Sequence, residues 1–112
     1  MTPPASRLPP DCLLTLAVPD ALEDEMLDIL RTLPELVPGF TLVKAHGLGT
    51  HVDLDSSMEQ VQGRARRVMV QMALQQAHLP ALMDVLNEAL PSPQVTYWVV
   101  PLLAFGSLGG TA

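Results

Sequence analysis

The sequence predicts an α+β domain, a four-stranded antiparallel sheet with two helices on one face. Three observations predict it. Two strand–helix–strand units follow one another in the same order. Apolar residues recur at helical spacing only in the middle of each unit. Between the units runs Gly47 to Gly63, which has no helical period and far exceeds the roughly two to five residues of a simple hairpin.

The first strand spans Asp11 to Val18, with Leu14, Leu16 and Val18 on one face. Pro19-Asp20 ends it. Asp20 and Glu23 have the spacing of a capping box, which opens the first helix. Leu22, Met26, Ile29, Leu30 and Leu33 give that helix its apolar stripe, and Glu23, Asp24, Glu25 and Asp28 its solvent side. The acids of the first turn also favour the positive end of the helix dipole. Pro34 closes the helix and Pro38-Gly39 turns the chain into the second strand, Phe40 to His46.

After the long loop the third strand runs from Arg66 to Leu74. Pro80 suits the first turn of a second helix, whose stripe is Leu82, Met83, Val85, Leu86 and Leu90. Pro91 and Pro93 end it. Gln94 to Val100, rich in β-branched and aromatic residues, is the fourth strand, and Pro101 stops or bends it. Two interleaved crossover units of this kind make a ferredoxin-like βαββαβ sandwich. In the third and fourth strands both sides are apolar. The face without helices should therefore be buried too, most simply between subunits.

Residues 1–10 hold four prolines and read as a disordered arm, residues 11–105 as the folded domain, and 106–112 as a flexible tail. Hydrophobic residues make up 48% of the 112 and charged residues 16%, which again favours association. A net charge of -6 speaks against nucleic acid as a partner. No apolar run has the roughly 18 to 20 residues of a membrane span, and the first ten residues lack the apolar centre of a secretory signal. The single cysteine, Cys12, excludes an internal disulfide and fits a reducing compartment. A cytoplasmic protein is expected.

Two groups of residues at the loop carry chemistry. Arg64, Arg66 and Arg67 reverse the local charge sign, and guanidinium forks suit phosphate or carboxylate. Equally, they could pair with Glu59, Asp53 or the acids of the first helix. Once in the strand, Arg66 and Arg67 point to opposite faces. Gly63 permits a bulge or a positive φ before that strand, and Gly47 opens the loop. His46 and His51, with Asp53 and Asp55, could supply nitrogen and oxygen ligands to a divalent metal, or simply cap turns. Cys12 and His78 join them only if the fold brings them close. Tyr97 and Trp98 read as core or interface residues, and Met69, Met72 and Met83 as packing. No catalytic constellation stands out, so an enzyme is not expected.

Gly39-Phe40-Thr41, His46-Gly47 with His51, Glu59-Gln60-Val61 with Gly63-Arg64 and Arg66-Arg67, Leu79-Pro80-Ala81-Leu82 and Tyr97-Trp98-Val99-Val100-Pro101 resemble one family over residues 12–105. It is a PII-like family of unknown function found near heavy-metal efflux pumps of the resistance-nodulation-division type, within the nitrogen-regulatory PII and CutA superfamily. The resemblance implies a homotrimer with its sheets turned inward and ligands bound in clefts between subunits. It also implies a signalling role for the loop over 47–63, the T-loop of PII proteins. A membrane efflux pump or other target protein is the implied partner. PII proteins carry a phosphate loop with glycine and lysine, and basic residues after the fourth strand. Leu74 to Leu79 and Leu102 to Phe105 contain no glycine, lysine or arginine, so adenine-nucleotide binding in the PII manner is not expected. The expectation is a trimeric sensor of a small ligand or metal; the alternatives are a divalent-metal tolerance protein of CutA type and a docking module for a pump.

Overall fold

The computed structural model describes residues 8–47 and 65–109. Four strands form one antiparallel sheet: β1 Cys12–Pro19, β2 Thr41–Gly47, β3 Ala65–Leu74 and β4 Thr96–Pro101. Their spatial order is β2-β3-β1-β4. Helix α1 spans Glu23–Arg31 and α2 spans Leu79–Ala89, each preceded by one 3-10 turn, Asp20–Leu22 and Gln76–His78. This is the ferredoxin-like arrangement that the element order predicts.

Register explains where each side chain goes. Thr15 stands opposite Gln71 and Trp98, and Leu16 opposite Val70 and Tyr97. One face therefore collects Cys12, Leu14, Leu16 and Val18 with Val68, Val70, Met72 and Leu74, all buried. The helices close this face with Met26, Leu30, Leu82 and Leu86, and Val37 from the segment after α1 completes the core. The other face carries Leu13, Thr15 and Ala17 with Met69, Gln71 and Ala73, flanked by Val43 on β2 and by Trp98 and Val100 on β4. No helix covers it. Met72 lies in the core and Met83 packs against it.

The strands shift by one or two residues from the expected bounds, and the first helix differs from the sequence reading in two ways. α1 ends at Arg31, before Pro34, because the Thr32 hydroxyl and N–H both turn back to the Ile29 carbonyl. The chain then makes short turns through Leu36 and Val37, which both donate to Leu33 O. The expected capping box is not formed. Neither helix start has a side-chain cap hydrogen bond, and Asp20 and Glu23 are engaged elsewhere.

Asp11 fastens one end of the sheet. Its N–H donates to Leu74 O, its carbonyl accepts from Leu102 N–H, and its carboxylate accepts from Gln76 N–H at 2.6 Å. The start of β1, the end of β3 and the exit from β4 are thereby joined. Among the described residues, no helix is long and apolar enough to cross a membrane.

Candidate functional site at the root of the β2–β3 connection

β2 and β3 pair from Thr41 with Gln71 to Gly47 with Ala65, so the connection leaves and returns at the end of the sheet opposite Asp11. That end gathers the cations. Lys44 on β2 reaches across to the start of the first helical segment. Its Nζ donates to Glu23 Oε1 at 2.5 Å and to Asp20 Oδ1 at 3.3 Å. The two acids stand three residues apart on one turn, so a single ammonium can reach both. The bond that Lys44 donates to Glu23 leads the effects that hold its ammonium above its ordinary pKa. Sequence reasoning missed this clamp. Its signal was a lone cation in an otherwise uncharged strand.

β3 begins at Ala65, so Arg66 and Arg67 are strand residues and fall on opposite faces. Arg66 is exposed and faces the helix side, in register with His46. Arg67 lies on the open face, opposite Pro19 of β1 and Ala45 of β2. It is only 7% exposed, although arginine is almost never fully buried without a partner. A cleft of about 290 Å³ is lined by Asp20, Lys44, Ala45, Arg66 and Arg67.

The remaining expected site residues divide cleanly. Gly63, Arg64, His51 and Asp53 lie outside the described residues, as do Asp55 and Glu59. His46 and Gly47 are placed at the end of β2 by their backbone alone. Cys12 and His78 do not join them. Cys12 pairs with Leu74 and His78 follows β3, both at the far end of the sheet. Cys12 is buried, donates to Leu74 O, and has its thiol pKa raised by desolvation first and the nearby Asp11 second. Among the described residues no three His, Cys, Asp or Glu side chains are grouped to hold a metal ion. Tyr97 and Trp98 are both about half exposed, so neither is a core residue.

A larger cleft of about 470 Å³ occupies the Asp11 end. Leu8, Phe40, Met72, Leu74 and Phe105 make it mainly apolar, with His78 and Gln75 at its margin. Its described lining contains no lysine or arginine, which sets it apart from the cationic cleft at the other end.

Known proteins share this architecture. A crystal structure of a DUF3240 family protein from Shewanella baltica OS155 is 22% identical, with a TM-score of 0.71 over 90% of this chain and 99% of that one. CPII, a nitrogen regulatory PII-like protein from Thiomonas intermedia K12 solved with ADP, AMP and bicarbonate, is 17% identical, with a TM-score of 0.64 over 88% and 97% of the two chains. CutA1 from Pyrococcus horikoshii OT3 is 12% identical, with a TM-score of 0.62 over 85% and 86%. Such identities establish the fold and no more. No curated protein matches the chain. The family model for DUF3240, a protein of unknown function, matches residues 9–109, and the chain belongs to that family.

Proposed function

We propose that this chain is a PII-like regulatory protein, not an enzyme, that works as a cytoplasmic homotrimer. It binds a small ligand at a cleft between subunits and signals through the segment over 47–63. The setting is heavy-metal efflux or homeostasis, with an efflux pump or another protein as target. The observation that carries the reading is the cationic cleft with Arg66 and Arg67 at the foot of that segment. A ligand held there contacts both strands from which the segment springs. It can bias the segment only by binding its two states unequally. The PII-like CPII, bound to ADP, AMP and bicarbonate, supports a ligand-sensing role for a chain of this fold. The uncovered apolar sheet face supports association.

The metal reading assigns His46, His51 and Asp53 as ligands of a divalent cation. The CutA-like fold keeps it as the second reading.

Sedimentation and hydrogen exchange test the proposal together. The expected result is a trimer whose amides over 48–64 exchange more slowly when a ligand saturates the protein. A monomer, or exchange that no bound ligand alters, overturns it. Zinc or copper binding that His46→Ala and His51→Ala remove, without any change in exchange elsewhere, transfers the case to the metal reading.

A further inference from the structure

We infer that the cleft at the β2–β3 root receives one small oxyanion, a phosphate or a carboxylate, with the Arg67 guanidinium as its anchor. The inference deepens the regulatory reading above and rests on it for the importance of this site. Charge accounting carries it. Among the described residues, Arg31 has Asp28 at 3.9 Å and Lys44 has both Asp20 and Glu23. Arg66 and Arg67 have no ion pair there. Arg66 is exposed to solvent. Arg67 is 7% exposed, and its ladder neighbours Pro19 and Ala45 offer no charge. A guanidinium removed from water without a counter-ion is costly.

The acid on the cleft wall does not supply that counter-ion. Asp20 is engaged by Lys44, which Glu23 also holds. Among the described residues, two guanidiniums and one ammonium stand against two carboxylates at the cleft, one positive charge in excess, within a chain whose net charge is -6. Among the described residues, no side-chain nitrogen or oxygen cut off from solvent lacks a partner. What remains accessible of Arg67 therefore belongs to a group open to an incoming ligand, and Arg67 lines the cleft.

Size selects the ligand. About 290 Å³ stands at the lower edge of ligand pockets, which run from roughly 300 to 1,000 Å³. One oxyanion on a small body suits a cleft of that size. An arginine fork accepts the two oxygens of such a group side by side. Lys44, already held by two carboxylates, forms a wall of the site.

Calorimetric titration of the full chain with inorganic phosphate, acetate and bicarbonate, at fixed ionic strength in chloride, tests this. The expected result is saturable binding of at least one of the three, one per chain, weakened by about tenfold or more in Arg67→Gln. Arg67→Lys retains the charge, loses the fork and falls between. The exposed Arg66→Gln, which does not endanger the fold, weakens binding by a smaller factor. Preference for phosphate identifies a phosphoryl ligand, and preference for acetate or bicarbonate a carboxylate. No saturable binding, as when an acidic side chain of a second copy already occupies Arg67, overturns the inference. So does unchanged affinity in folded Arg67→Gln. Oxyanion binding that leaves exchange over 48–64 unaltered sinks the regulatory reading and keeps the site. An exchange response to ADP without any oxyanion binding does the reverse.

Discussion

The two faces of the sheet are cut from the same four strands, yet they end in different surroundings. On the helix side Leu14, Leu16, Val18, Val68 and Val70 are at most 1% exposed. On the other side Val43, Trp98 and Val100 remain 46%, 45% and 43% exposed. Composition does not make the difference, since both faces are largely apolar. A second layer makes it: α1 and α2 seal one face, and among the described residues no element seals the other. Thr15 shows how far a single layer can go. It is 2% exposed at the middle of the open face, walled in by Gln71 and Trp98, while the margins stay wet. On this face burial along the central strands β1 and β3 stands beside exposure on the outer strands β2 and β4.

The contrast can be broken most sharply from the covered side. Leu82 on α2 is fully buried against the sheet. Leu82→Ala should cost about 2–5 kcal/mol in urea unfolding, because the cavity adds to the lost transfer energy. A loss below about 1 kcal/mol would mean that the helix layer is loose. On the open side, Trp98→Glu should leave the stability of an isolated chain within about 0.5 kcal/mol, as surface changes do. It should nevertheless convert the proposed trimer to monomers, since a charge is driven into the open face on which the subunits would meet. Unchanged sedimentation would show that another surface joins the subunits.

The smallest expected effect is chemical. Cys12 belongs to the covered face, and burial raises its thiol pKa above the ordinary 9.0. Folding therefore favours the protonated thiol. The sign follows from linkage: stability is fully present below about pH 9 and declines as pH rises towards the folded-state pKa, where only the unfolded chain readily ionises. Alkylation by iodoacetamide at pH 8 should proceed only as fast as the protein opens, and rapid modification of the native protein would contradict the burial.

Much of this was legible in the residues. Alternation gave the strands, the apolar stripes gave the helices, and the opposite orientation of Arg66 and Arg67 followed from their adjacency in a strand. What escaped reading depends on contacts between distant segments. Asp20 and Glu23 carry the spacing of a capping box, but their carboxylates turn to Lys44, 24 and 21 residues further on. An ammonium brought in by the tertiary fold outcompeted local backbone donors, and no local pattern announces that. Val37 is buried inside a turn without any period, so no periodicity could mark it as core. The burial of Arg67 was equally hidden, because sequence alone treats a cation in a basic run as solvated. The expected loop over 47–63 lies outside the described residues but for Gly47, and its roots at β2 and β3 are where the alternation stops.

The Asp11 clasp has a practical corollary for handling the protein. It brings the incoming and outgoing passages of the domain together at one pole, beside Leu74 and Leu102. The cationic cleft sits at the other pole, roughly 25 Å away along the strands. A fluorophore, affinity tag or surface tether attached through either passage will report on the cleft from a distance and will not obstruct it.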